Sequence, residues 1–137
     1  MTNHKINLVS SYHICAGHRL SRDDWSSEKN AEVYGHCANN HGHQYRLDLV
    51  LEGEISSETG MLINGYDVDA IVQPFLKESF DHKFLNDDVD FFKDHQPTAE
   101  WISVWAYHQL KDKFPEHVTL KKVRIGETPE LAVEYPV

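Results

Sequence analysis

Several things are scarce in this chain, and each shortage narrows what it can be. Only two of its 137 residues are cysteine. Two thiols cannot form the disulfide framework of a small secreted domain, so both are read as free thiols. Positive charge is also short, with 13 Lys and Arg against 22 Asp and Glu, a net charge of −9. A chain this acidic is not built to follow a phosphate backbone, so no nucleic-acid partner is expected. A small anionic substrate needs only a local patch and stays open. No apolar run approaches the roughly 20 residues of a membrane span. The opening Met1-Thr2-Asn3-His4-Lys5-Ile6-Asn7 has no apolar signal region. A cytoplasmic protein with no membrane partner is therefore expected. Repeats, linkers and low-complexity segments are lacking too, and 40% hydrophobic residues suit one domain spanning 1–137.

Histidine, by contrast, is abundant: there are ten, scattered along the chain. His36-Cys37-Ala38-Asn39-Asn40-His41-Gly42-His43-Gln44-Tyr45 holds three of them and one cysteine. Immediately after, Tyr45, Leu47, Leu49 and Leu51 alternate with Arg46, Asp48 and Glu52, the period of a half-buried strand. Carried backwards, that parity puts His41 and His43 on the apolar face. One inward histidine is ordinarily a satisfied core residue. Two in succession each need partners for both ring nitrogens, which points to a metal.

Residues 5–14 alternate in the same way, with Ile6, Leu8, Tyr12 and Ile14 against Lys5, Asn7 and His13. Extending the parity places Ala16 and His18 on the apolar face. If the two strands are antiparallel neighbours, His18, His41 and His43 meet. Three histidines with an open fourth position are the pattern of a catalytic rather than a structural zinc. The competing reading packs His18 against Trp25.

Residues 20–40 read as a long polar excursion with a helical turn around Glu28–Val33, and excursions of this length are usually functional. Cys37 lies at its end. A thiol near a divalent cation is a base or nucleophile; the alternatives are a fourth zinc ligand or a small buried side chain. Residues 53–60 read as a turn and Met61-Leu62-Ile63 as a brief strand. A helix over 68–80 follows, capped by Asp67, with Val68, Ile71, Val72, Phe75 and Leu76 inward and Pro74 interrupting. Asp81-His82 is a carboxylate beside an imidazole, a weak signal taken alone. Thr98 caps a second helix to about Phe114, with Glu100 in its first turn and Trp101, Val104 and Trp105 inward. On a strand over 118–127, Glu127 shares a face with Val123 and Ile125. A carboxylate in line with core residues asks for a partner, unless it is a solvated strand end. Leu131, Val133 and Tyr135 form a last strand. The order ββααββ predicts an α+β layer, an antiparallel four-stranded sheet with two helices on one face.

Taken together, Ala-Gly-His-Arg-Leu (16–20), Cys-x3-His-Gly-His-x-Tyr (37–45), Gly-Glu-Ile…Thr-Gly-Met (53–61), Asp-His…Leu-Asn (81–86), Pro-Thr-x-Glu (97–100) and Glu-Thr (127–128) resemble the 6-pyruvoyl-tetrahydropterin synthase family. That family includes the 6-carboxytetrahydropterin synthases of queuosine biosynthesis. The resemblance implies the tunnelling fold, with subunits joining their sheets into a barrel, usually two stacked trimers with pockets at subunit boundaries. It implies Zn2+ on His18, His41 and His43. It casts Cys37 as a proton-abstracting thiolate and Asp81 with His82 as the dyad for a second proton transfer. Glu127 would anchor the pterin ring, and Thr98 and Glu100 would line the same pocket. The implied substrate is 7,8-dihydroneopterin triphosphate, with its side-chain hydroxyls at the open zinc position.

Two features bear on the product. Three residues between Cys37 and His41 resemble the carboxytetrahydropterin enzymes, which makes 6-carboxy-5,6,7,8-tetrahydropterin the leading expectation. The 18 residues between His18 and Cys37 look more like the pyruvoyl type, whose product follows release of triphosphate. A zinc- or pterin-binding protein without turnover is the alternative from another class, and it would have no need of Cys37, Asp81 and His82.

Overall fold

Residues 2–137 are described by a computed structural model. Strand β1 runs Lys5–His18 and pairs antiparallel with β2, His41–Glu54. Their register sets Tyr12 against Leu47, Ile14 against Tyr45, Ala16 against His43 and His18 against His41. The buried apolar members of both strands are those the alternation marks, from Tyr12 to Ala16 with His18 following and from Tyr45 to Leu51; Asp48 is buried as well, on the other face. Strand β3, Thr119–Thr128, pairs with β2, and β4, Leu131–Tyr135, pairs with β3, so the sheet order is β1-β2-β3-β4, antiparallel throughout.

Two irregularities in β3 matter. Val50 pairs with Lys122 but Leu51 pairs with Leu120, which leaves Lys121 as an extra residue. That bulge switches the inward parity from Leu120 to Val123 and Ile125. A second one leaves Glu127 between the Gly126–Ala132 and Thr128–Leu131 pairs.

Helix α1 is Ser27–Tyr34, where a helical turn is read, with Ser26 Oγ accepting from the Lys29 backbone N–H. Helix α2 is Gly65–Phe75. It starts earlier than the pattern indicates because Asn64, not Asp67, is the cap: its Oδ1 accepts from Tyr66 N at 2.9 Å, and Asp67 lies in the first turn. Pro74 falls in the last turn. Beyond it Leu76–Phe80 winds more widely, closed by Asp81 N donating to Leu76 O at 2.7 Å.

Helices α3 (Leu85–Asp88) and α4 (Phe91–Asp94) are single turns. They are too short to show a period in sequence. Helix α5, Ala99–Leu110, is capped by Thr98 as expected but ends short of Phe114. Its buried face is Ile102, Trp105, Ala106 and Leu110; of the expected Trp101, Val104 and Trp105, Trp105 is buried and the other two are not. Trp101 turns outward beside His95 and Phe91.

The helices share one core with the sheet, where Phe75, Phe80 and Trp105 meet ring to ring at 5.0 to 6.3 Å. On the opposite sheet face Ser11 and Arg46 both donate to Asp48, at 2.6 and 2.9 Å. Met61–Ile63 is not a strand; Leu62 and Ile63 are buried from a bent segment. Gly53 belongs to β2 rather than to a turn. A Cβ there would run into the Leu62 side chain and lie 2.6 Å from His117 O, so glycine lets that segment close over the sheet.

Candidate metal centre and substrate pocket

The shared parity of β1 and β2 delivers three imidazoles to one end of the sheet's inner face. Ring centroids lie 4.5 Å apart for His18 and His41, 5.1 Å for His18 and His43, and 5.0 Å for His41 and His43. One nitrogen from each falls within 4.8 Å of the others. Among the described residues this is the one cluster of potential metal-ligating side chains, and Cys37 is not part of it.

The tautomers follow from the acceptors. His18 Nδ1 donates to Pro97 O at 2.7 Å, and His41 Nδ1 donates to Asn39 O at 2.7 Å. A carbonyl only accepts, so both protons sit on Nδ1 and each Nε2 presents a lone pair. Backbone carbonyls holding the far nitrogen are the usual way a metal-binding imidazole is oriented. Nε2 of His41 and of His43 are buried with no hydrogen-bond partner. Buried polar atoms left this way cost free energy and call for an explanation. A divalent cation taking nitrogen ligands fits all three rings and satisfies both orphaned atoms. Trp25, the other neighbour considered for His18, instead stacks on Tyr34 at 5.9 Å with Lys29 over its face.

Burial pushes His18 down from 6.5 to about 4, and the neighbouring His41 and His43 add to the shift while the Pro97 bond opposes it. His43 is lowered too, chiefly by burial. His18 and His43 are thus held neutral and able to ligate near neutral pH. The unfolded chain takes up the His18 proton near pH 6.5, whereas the folded chain resists it until about 4. Unfolding therefore gains protons, and acid favours it. Metal-free protein should hold its full stability above pH 6.5 and lose it progressively as pH falls towards 4. A melting temperature that stays flat over that window after chelation would contradict this.

Glu127 sits where β3 bulges, still on the inner face, with Oε1 3.6 Å from His43 Nε2 and its side chain 18% exposed. It is therefore not a solvated strand end. Tyr45, read in sequence only as an apolar strand residue, is fully buried beneath the cluster. Its hydroxyl lies 3.3 and 3.4 Å from the two nitrogens of His18. Burial, with Glu127 and Cys37 adding to it, raises its pKa well above the usual phenol value, so the proton stays on the oxygen. Its place two residues after His43 on the same face was the available signal.

Cys37 lies in a 3-10 turn, Gly35–Ala38, half-buried, and its carbonyl accepts from Leu20 N at 2.7 Å. Asp81 and His82 do form a dyad, with Nδ1 3.0 Å from Oδ2. They lie along the free edge of β1: Cys15 N donates to Asp81 Oδ1 at 3.0 Å and His82 N to Cys15 O at 2.6 Å. The His82 side chain is 81% exposed and its φ is +60°, a strained left-handed conformation for a residue with a side chain. Among the described residues no hydrogen bond or ion pair joins this dyad to Cys37 or to the three histidines. His82 and His43 both line one open depression of about 560 Å³ that also takes in Phe84. Thr98 spends its hydroxyl capping α5, accepting from Trp101 N at 3.2 Å, and Glu100 is exposed in the first turn. The Pro97 carbonyl beside them touches the site through His18.

Comparison with known proteins bears on the chain as a whole. Residues 7–136 match the family model described as 6-pyruvoyl tetrahydropterin synthase. The human 6-pyruvoyl tetrahydrobiopterin synthase is 35% identical over 122 residues, covering 88% of this chain and 83% of that protein. A probable 6-carboxy-5,6,7,8-tetrahydropterin synthase of Halobacterium salinarum is 32% identical over 133 residues, covering 86% and 78%. The solved structure of the Caenorhabditis elegans 6-pyruvoyl tetrahydropterin synthase is similar over 98% of this chain and 97% of that one, with a TM-score of 0.90 at 29% identity.

Proposed function

The chain belongs to the 6-pyruvoyl tetrahydropterin synthase family of lyases, and from that premise we propose that it is a zinc enzyme converting 7,8-dihydroneopterin triphosphate to 6-carboxy-5,6,7,8-tetrahydropterin, on the route to queuosine. The observation that carries the reading is the pair of buried, unpartnered Nε2 atoms of His41 and His43 beside the Glu127 carboxylate. Nitrogen ligands for a cation and an acceptor for a heterocycle stand side by side there. Zinc held by His18, His41 and His43 would keep a fourth position for substrate oxygen and make the side-chain hydroxyls more acidic.

The protein's own groups divide the remaining work. Glu127 offers two oxygens to the amino and ring N–H groups of the pterin, a charge-assisted pairing. Cys37, as thiolate, removes a proton from the substrate side chain. Asp81 accepts the Nδ1 proton of His82, which leaves Nε2 to exchange a proton with substrate. Thr98 and Glu100 shape the mouth of α5 at the pocket's rim.

The exposed dyad, the outer edge of β4 and the edge of β1 before Cys15, where no other strand pairs, support a homo-oligomer, two stacked trimers, with the pocket closed at a subunit boundary. Light scattering that returned a single chain would count against that assembly.

A second reading is 6-pyruvoyl-tetrahydropterin synthase, favoured by the relatives of that name at 33–35% identity. The three-residue spacing from Cys37 to His41 supports the first reading. Incubation with 7,8-dihydroneopterin triphosphate and zinc, followed by mass spectrometry, separates them: a side chain cut back to a carboxyl group supports the first, a retained three-carbon side chain the second. No consumption of substrate would refute both.

Glu127→Gln is expected to weaken dihydropterin binding by about 1–3 kcal/mol, because one ring donor loses its acceptor. Metal content should stay at the wild-type level. Unchanged affinity in a calorimetric titration would remove Glu127 from the role.

A further inference from the structure

Three consecutive residues after His18 are held in a way that strand pairing does not explain. At Arg19 the chain leaves β1, and its backbone groups are taken over by side-chain amides. Asn86 Oδ1 accepts from Arg19 N at 2.9 Å, and Asn86 Nδ2 donates to Arg19 O at 2.9 Å. Gln96 repeats the arrangement on Ser21, its Oε1 accepting at 3.2 Å and its Nε2 donating at 2.7 Å. Between them Leu20 points its N–H the other way, to the carbonyl of Cys37 at 2.7 Å. Residues 19 and 21 are thus clamped to the segment around α3 and α4, and residue 20 is tied to the turn that carries the thiol.

That turn has little else to hold it. It is four residues long, buries no side chain and has no side-chain cap. One end is joined to the site through Asn39, whose carbonyl accepts from His41 Nδ1. The remaining tie to the sheet described for Cys37 itself is the bond from Leu20. On the other side, Gln96 precedes Pro97, whose carbonyl orients His18. The Gln96–Pro97 step therefore sets both the His18 ring and, through Ser21 and Leu20, the turn bearing Cys37.

We propose that Asn86 and Gln96 are positioning residues that fix Cys37 relative to the three histidines by clamping the backbone of Arg19–Ser21. This rests on the reading of Cys37 as the base. Its mechanical part, control of the thiol's placement, does not depend on the reaction. Two amides, each making both hydrogen bonds of one peptide residue, act as a short extension of β1 exactly where ladder partners end, so the thiol is held without needing a strand of its own.

The test compares wild type with Asn86→Ala and Gln96→Ala, and with the same-shaped Asn86→Asp and Gln96→Glu. Each acidic variant keeps the acceptor and loses the donor. The first measurement is the iodoacetamide alkylation rate of Cys37, read by peptide mass spectrometry on full-length protein. Cys15, exposed on β1 and bonded to the Asp81–His82 segment rather than to the Cys37 turn, is the internal reference. The Cys37 rate should rise roughly five- to tenfold in the alanine variants as the turn opens more often, with the Cys15 rate unchanged. The acidic variants should fall between these and wild type. The second measurement is turnover: kcat should drop by roughly 10- to 100-fold while KM stays within about threefold, as expected for a misplaced base rather than a damaged binding pocket. Unchanged Cys37 alkylation in the acidic variants, which preserve volume and should fold, would overturn the proposal. So would equal acceleration at Cys15 and Cys37, which reports general loosening. If wild type shows no turnover on the pterin substrate, the functional reading falls, and the alkylation rates still decide whether the clamp exists.

Discussion

Alanine in place of His43, and separately in place of His41, is expected to yield a folded protein that no longer retains zinc. The case rests on the cost of the present arrangement without a cation. Each ring keeps a buried Nε2 with no partner. An unsatisfied polar atom of this kind costs on the order of 1–3 kcal/mol. Removing the ring removes that penalty along with its packing, so the metal-free variants should melt close to metal-free wild type. Metal binding, by contrast, loses one of three protein ligands. Affinity should fall by at least about a hundredfold, the upper figure for losing merely a partner of a ligand. Stoichiometry after gel filtration, by plasma mass spectrometry, should go from one zinc per chain to near zero, and turnover with it. His36→Ala is the control: that residue is exposed on the preceding turn and outside the cluster, and its zinc content should not change. Full zinc content in both His41→Ala and His43→Ala would defeat the assignment.

Cys37→Ala should give the opposite pattern, with metal kept and chemistry lost. The thiol stands outside the group of converging nitrogens, so three histidines complete the protein's share of an open tetrahedral site without it. The turn's tie to Leu20 runs through the Cys37 carbonyl, which alanine retains, so the backbone should keep its place. Zinc content and dihydropterin affinity should be near wild type. Turnover should fall by a general-base factor, on the order of 10²–10⁴. Loss of zinc from this variant would make Cys37 a ligand instead, and wild-type turnover would leave it without a role.

Much of the site was legible because strands report their faces at a period of two. His41 and His43 fall in phase with Leu47, Leu49 and Leu51, and His18 with Tyr12 and Ile14, and the two strands are the antiparallel neighbours on which their meeting was conditional. The helix faces were harder to read. In α5 nearly every position from Trp101 to Tyr107 is apolar or aromatic, so sequence could not choose between the stripe at Trp101 and the one at Ile102. Packing against β3 and β4 chose the second. Helices α3 and α4 left no trace because a single turn has no period to detect.

By itself, then, the order of residues determined which side chains could share the inner face: three imidazoles, one carboxylate and the phenol of Tyr45. That follows from the alternation of Cβ directions along an extended chain, a local property needing no distant partner. Tertiary structure alone decided how those groups are poised. The bulge at Lys121 corrects the phase of β3 so that Glu127 arrives beside His43. The free nitrogen of His18 is chosen by a carbonyl 79 residues away, at Pro97. Cys37 is held through Leu20 by amides on Asn86 and Gln96. These are hydrogen bonds between segments far apart in the chain, and a hydrogen bond depends on where both partners come to rest, which no spacing within one segment encodes.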